Sequence, residues 1–241
     1  MVYSLARFLS VFGGEFCSQR RFLLMRDIIN RAVPPVDAAI LRFDVERDLQ
    51  HHLKVAKQLN IAGVRGTFYF HTRPGCFNPK VMHQIETLDH EVGFHHECLD
   101  KCDGDFESAR AIFKEEVDLF RRHRLEIKTV CSHGEAGFHR INYKANWELF
   151  ERFPDLLRET GIEGEVYLWL KDNNVHYAAD TFSRCSAYWQ TICRACGDRL
   201  PAKPLMVLTH LHRWHHSLIS TLAETSRDVS GMLSNKIGLM N

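Results

Sequence analysis

The chain has 241 residues, 45% of them hydrophobic and 25% charged, which is ordinary globular composition with enough apolar side chain for one sizeable core. With 31 basic and 30 acidic residues the net charge is +1, a balance that gives no support for nucleic acid or an anionic membrane as the main partner. No apolar run approaches the roughly 20 residues needed to span a bilayer.

An α/β barrel commonly occupies about 250 residues as one unit, so a single domain over 1–241 is expected, with its motif-bearing core at 38–216. The opening stretch MVYSLARFLSVFGGEFCSQRR carries a short apolar segment from Phe8 to Phe12. No small-residue cleavage site follows before Arg20 and Arg21, so the stretch reads as an amphipathic first helix rather than a leader. A cytoplasmic location is the matching expectation.

Short apolar runs rich in β-branched and aromatic residues then alternate with helical patterns. The expected strands are AAILRF (38–43), RGTFYF (65–70), EVGFH (91–95), KTVCS (128–132), EVYLWL (165–170) and PLMVLTH (204–210). Between them, 46–60 places Leu49, Leu53, Ala56 and Leu59 on one helical face, and 79–89 does the same with Val81, Ile85 and Leu88. The stretch 106–124 aligns Phe106, Ala109, Phe113, Val117 and Phe120. Asn78 is a natural cap before Pro79 in a first turn. Residues 171–200 are poorly patterned, with one strand expected near 175–178. Strand–helix alternation of this kind argues for a largely parallel sheet.

Four of the six strands end in residues that can do chemistry. The first ends LRFDVE, giving Asp44 and Glu46. The third lies in HEVGFHHE, giving His90, Glu91, His95, His96 and Glu97. The fourth ends in VCSHGE, giving His133 and Glu135, and the last in LTHLHRWHH, giving His210, His212, Trp214 and His215. In parallel α/β folds the carboxyl ends of the strands form the functional face. Four separate segments would therefore deliver imidazoles and carboxylates to one rim, a donor set suited to zinc and similar divalent ions.

The strand period puts Asp44 and Glu46 on one side, and likewise His95 and Glu97, with His96 facing away. A D-x-E at a strand end can equally cap the next helix. Arg42, Arg73 and Arg140 fall near the rim and could meet an anionic substrate group, or be surface arginines with no such role. His215 and His216 read as the start of a solvated helix. Eight cysteines accompany 15 histidines. Cys193 and Cys196 form a CxxC and Cys98 and Cys102 a CxxxC, and reduced, partly buried thiols are the expected state.

The ordered set LRFDVE, GTFYF, DHEVGFHHE, TVCSHG and LTHLHRW resembles the polysaccharide deacetylase (NodB-homology, carbohydrate esterase) superfamily, and within it an uncharacterised cytosolic branch. The resemblance implies a distorted (β/α) barrel of about seven parallel strands and a metal-dependent amidohydrolase or esterase site. It implies Asp44 as general base, Glu46 and His95 as metal ligands, His210 as general acid, and Trp214 in the wall of the acyl pocket; Arg42, from its place near the rim, is the candidate substrate contact.

The chain departs from the family pattern in four places. Leu99 stands where a second metal histidine is usual, and Glu46 where an aspartate is usual. SHGE replaces an Arg-x-Pro pattern, and Leu211 follows the closing histidine in place of proline. His133 is the expected replacement ligand, so that Glu46, His95 and His133 would surround one divalent metal: zinc, or else cobalt, manganese, nickel or iron.

The function so implied is removal of an N- or O-acyl group from a small carbohydrate or sugar precursor. The alternatives are a non-catalytic descendant that binds a sugar or nucleotide-sugar, a hydrolase of some other amide or ester, and a zinc-structured interaction protein built on Cys185, Cys193 and Cys196.

Overall fold

The computed structural model describes residues 5–11, 20–134, 140, 142–180, 203–214 and 226. Within these the strands are β1 (Arg21–Phe22), β2 (Ala38–Val45), β3 (Thr67–Phe70), β4 (Glu91–His96), β5 (Thr129–Ser132), β6 (Gly164–Glu165), β7 (His176–Ala179) and β8 (Leu205–Thr209). Every pairing is parallel, and the order is β6-β5-β4-β3-β2-β8-β7, with β1 set beside the start of β2. From β2 to β6, and again from β7 to β8, each strand lies beside its neighbour in sequence. The last strand returns to β2, so seven strands run round a distorted (β/α) barrel. Among the described residues it is open only between β6 and β7.

The helices start where their caps predict. Asp48 accepts from the His51 N–H at the head of helix Leu49–Ile61, Asn78 from Val81 N–H ahead of Pro79–Glu86, and Asp105 from Ser108 N–H ahead of Phe106–Arg122. A short helix, Leu5–Val11, forms near the amino terminus, and its Phe8 ring stands 5.3 Å from that of Trp214. No described helix is long and apolar enough to cross a membrane.

One strand expectation is corrected. EVYLWL does not run on as a strand: β6 ends at Glu165 and helix Val166–Asp172 follows at once. The Glu165 carboxylate accepts from the Leu168 N–H, an N-cap that turns the chain, and the buried Val166 and Trp169 are three apart, as a helix requires. A short continuous apolar run is compatible with either element. The brevity of β6 also leaves the barrel open on that side.

Strand alternation divides the core into two layers. Outward-facing Leu41, Phe43, Phe68, Phe70, Phe94 and Val130 join the apolar faces of the helices in the larger cluster. Inward-facing Ile40, Tyr69, Cys131 and Met206 form a smaller cluster inside the barrel. Toward the amino ends of the strands, Glu91 accepts from the Thr67 and Thr129 hydroxyls and from Arg26 N–H, while Tyr69 OH bonds Thr129. The barrel floor is thus closed by a satisfied polar plug, as buried polar groups require.

Candidate functional site

The inward phase of five strands continues, two residues at a time, into the same space. Ile40, Arg42 and Asp44 lead to Glu46, and Thr67 and Tyr69 lead to His71. Glu91, Gly93 and His95 lead to Glu97. Thr129 and Cys131 lead to His133, and Met206 and Leu208 lead to His210. The side chains at these carboxyl ends therefore converge because the pleat directs them there.

Three imidazoles form the centre. One ring nitrogen from each of His71, His95 and His133 lies within 4.8 Å of the other two, and all three residues are buried. The ring centroids are 4.5 Å (His71–His95), 4.8 Å (His71–His133) and 5.1 Å (His95–His133) apart. Burial and the two neighbouring imidazoles hold His71 well below the usual histidine pKa, so its ring is neutral, and neither ring nitrogen has a hydrogen-bond partner. A fully buried neutral imidazole with both nitrogens unsatisfied is costly unless something else uses a lone pair.

His95 points the same way. Its Nδ1 is 2.9 Å from the Cys131 carbonyl oxygen, which only an N–H can satisfy. Burial, against the pull of Asp44, leaves its pKa below the ordinary value, so the ring is neutral and Nε2 carries a lone pair. That lone pair faces Asp44 Oδ2 at 3.3 Å. Two acceptors this close call for a cation or a proton near both. The residues present thus fit a divalent metal by donor type and by their orphaned nitrogens.

Carboxylates surround the trio. Burial pushes the Asp44 carboxyl up, but the Arg42 guanidinium and His95 outweigh it and hold it well below the usual range. Arg42 binds both oxygens, Nε to Oδ1 at 2.8 Å and Nη2 to Oδ2 at 2.6 Å. Glu46 lies 3.8 Å from His133 Nε2, 3.7 Å from His210 Nε2 and 3.9 Å from His212 Nε2. On the other side of His133, Nδ1 is 3.3 Å from Glu97 Oε2. Burial disfavours the charged ring, yet Glu46 and Glu97 together raise the His133 pKa to about 9. His133 is therefore an imidazolium, and a bound metal would take the place of that proton.

His210 has a partner that the sequence did not reveal. Asp180, one residue past β7, takes His210 Nδ1 at 2.6 Å and the His210 backbone N–H at 2.8 Å. The Trp214 indole N–H donates to the same carboxylate at 2.8 Å. Burial lowers the His210 pKa, but the charge of Asp180 outweighs it and the net shift is upward. Between Glu46, His133 and His210 opens a cleft of about 270 Å³ whose further wall includes Tyr167 and Tyr177.

The structure thus brings Asp44, Glu46, His95, His133 and His210 together and adds His71, Glu97 and Asp180. His71 was within reach of sequence reasoning, because it continues the Thr67–Tyr69 phase past the end of β3. Asp180 was not, because it lies within the poorly patterned stretch 171–200.

Two residues expected at the substrate stand elsewhere. Arg42 is 1% exposed and committed to Asp44, with its guanidinium 4.8 Å from the Tyr167 ring, so it faces the barrel interior rather than a substrate group. Trp214 is fully buried behind His210, bracing Asp180, and does not line the cleft. Arg140 forms a paired contact with Asp100 at 2.7 Å, and Arg73 lies 3.8 Å from Glu97. His90 and Glu91 open β4 and so sit at the opposite end of the barrel. Leu99 is buried in the outer core. Among the described cysteines, Cys76, Cys98, Cys102 and Cys131 are free thiols. Glu135, Cys185, Cys193, Cys196, His215 and His216 lie outside the described residues.

No family model and no curated protein matches the chain. Among solved structures it is similar to a CE4 family pseudoenzyme from Bacillus anthracis, at 11% identity and a TM-score of 0.40 over 80% of this chain and 60% of that one. A mutant of a CE4 family pseudoenzyme with restored enzymatic activity gives 9% identity and a TM-score of 0.40, over 81% of this chain and 62% of the other. The chain spans about 60% of the length of the first of these structures. Likeness at this distance bears on neither the site nor its activity, which stand on the chain's own residues.

Proposed function

We propose that the chain is a metal-dependent hydrolase that removes an acyl group from a small carbohydrate or sugar precursor, with the metal held by His71, His95 and His133. The observation that carries the reading is the convergence of three buried imidazoles, one of them without a hydrogen bond at either nitrogen, beside an ionised Asp44 and across a cleft from His210. Glu46, expected as a ligand, stands at the edge of this group, nearer to His133 and His210 than to His95.

A divalent cation in that position would polarise an acyl carbonyl and make a neighbouring water more acidic. Asp44, kept ionised by Arg42, would accept the proton of the attacking water. Both of its oxygens already accept from Arg42, which fixes its direction and weakens it as a base. His210, oriented by Asp180, whose charge raises the pKa of the ring, would donate to the leaving amine or alkoxide. Glu46 lies between His133 and His210 and would hold the charge balance of the two rings. The cleft, at about 270 Å³, is slightly below the common range of roughly 300–1,000 Å³ for small-molecule sites, which suits an acyl group and part of one sugar ring. A cytoplasmic setting would favour a soluble precursor over a finished wall polymer.

The test begins with elemental analysis of untagged protein beside His71→Ala, His95→Ala and His133→Ala. Near-stoichiometric zinc, or a similar metal, in the parent and its loss in all three variants is expected. Acetate release from a panel of N- and O-acetylated mono- and disaccharides then reads turnover. A parent that binds no metal after incubation with zinc, cobalt or manganese sinks the hydrolase reading. A loaded parent with ligand-induced stabilisation by sugars and no acetate release would favour a sugar-binding descendant, consistent with the weakened base.

A further inference from the structure

Glu97 is the first residue after β4 and the N-cap position of the short helix Cys98–Lys101, yet its side chain caps no N–H of that helix. Its carboxylate turns instead toward the barrel mouth. Oε2 lies 3.3 Å from His133 Nδ1 and 3.7 Å from His71 Nδ1. The two rings come from different strands, and one oxygen stands against the same nitrogen of each. His95 has its own Nδ1 acceptor, the Cys131 carbonyl. All three imidazoles therefore have an oxygen near Nδ1, hydrogen-bonded at His95 and close without a hydrogen bond at His71 and His133.

We infer that Glu97 is a shared positioning residue that fixes His71 and His133 as Nδ1–H tautomers and so presents Nε2 of each to the metal. An imidazole bound to a metal through one nitrogen is oriented and made more basic by the acceptor on the other. A carboxylate is a stronger acceptor than a carbonyl, and one carboxylate serving two ligands couples their orientations. The negative charge also offsets that of a dication held by neutral rings. Arg73 at 3.8 Å and Lys101 at 3.7 Å hold the other approaches to Glu97, leaving it tethered but not neutralised by a close ion pair.

The inference rests on the metal reading above, and the experiment separates the two. Cobalt and zinc affinities are measured by competition with a chelator for the parent, Glu97→Gln, Glu97→Asp and, as a control on the outer surface, Lys114→Gln, whose ammonium pairs with Glu159. The expected result is a loss of about 10–100-fold in Glu97→Gln, partial recovery in Glu97→Asp, and no change in Lys114→Gln. A parent that binds neither ion overturns both readings. A parent that binds while Glu97→Gln binds equally well overturns only this one, and so does a loss in Lys114→Gln as large as that in Glu97→Gln.

Nitrogen-15 spectra of the zinc-loaded parent provide a readout that needs no variant. Bound Nε2 with protonated Nδ1 at both His71 and His133 is the expected pattern. Coordination through Nδ1 at either ring would contradict it.

Discussion

His95 and His96 are neighbours on β4, both almost wholly buried, with opposite surroundings. His96 faces outward under the helices, where its ring lies 5.1 Å from Phe150 and 5.6 Å from Phe113, and Nε2 meets the Ser132 hydroxyl at 2.9 Å. His95 faces inward among His71, His133 and Asp44. One side of the sheet is an apolar layer in which His96 makes a single local hydrogen bond through Nε2 and none through Nδ1. The other is a polar column in which ionisable groups satisfy one another and leave a few nitrogens without a partner. A one-residue step along the strand is enough to move an imidazole from structural filler to candidate ligand. Stability should therefore depend on the two faces through different physics, packing outside and charge balance inside.

The sharpest break of that division is Asp44→Asn. The substitution keeps the shape of the side chain but leaves the Arg42 guanidinium buried with no carboxylate. Removing one partner of a buried pair costs about 3–5 kcal/mol, because the other charge stays desolvated. Urea unfolding at neutral pH should show a markedly lower midpoint. The double variant Arg42→Met with Asp44→Leu should recover most of the loss while abolishing any turnover. An unchanged midpoint in Asp44→Asn would mean that Arg42 finds another partner.

On the outer face, His96 predicts a dependence on acid. Burial first, and the neighbouring imidazoles second, push its pKa down from 6.5 to about 3. The folded state therefore holds the neutral ring, while the unfolded chain binds a proton below about pH 6.5. The stability from this site is complete above that pH and is lost as the pH falls toward 3. At pH 4 the loss is about 3 kcal/mol. His96→Phe should flatten the pH dependence of the unfolding free energy between pH 6.5 and 4. Parallel curves for parent and variant would remove His96 as the source.

Much of this architecture was legible because periodicity reports burial directly. The helix faces of 49–61 and 106–122 and the strands at 38–45, 91–96 and 205–209 follow from side-chain spacing and caps. The residues Asp44, His95 and His133 were visible as polar groups ending apolar strands. His71 lies one residue past the apolar run RGTFYF, which carries no polar signal of its own, although its alternation runs on into the histidine. Val166–Asp172 was misread because five consecutive apolar residues carry no period long enough to separate strand from buried helix. Arg42 could not be assigned from sequence, since its role depends on which strand face closes into a barrel. Asp180 contacts His210 across 30 positions, a distance that no local pattern spans.

The smallest of the expected effects tests how tightly the inner column is packed. Gly93 sits on β4 between Glu91 and His95, on the inward face. A Cβ there would lie 2.4 Å and 2.5 Å from the Tyr69 ring carbons and 3.1 Å from the Thr129 backbone oxygen. The Tyr69 ring cannot easily swing away, because its hydroxyl is held by Thr129 and its body fills the barrel between the plug and Arg42. Gly93→Ala should therefore cost about 1–3 kcal/mol by overpacking. In a Tyr69→Ala background, where the ring is gone, the same substitution should cost little. The difference between the two measurements is the coupling energy of the contact. Equal costs in both backgrounds would place the strain at the Thr129 carbonyl, in the sheet itself. The inner face would then be limited by strand spacing rather than by the side chains that fill it.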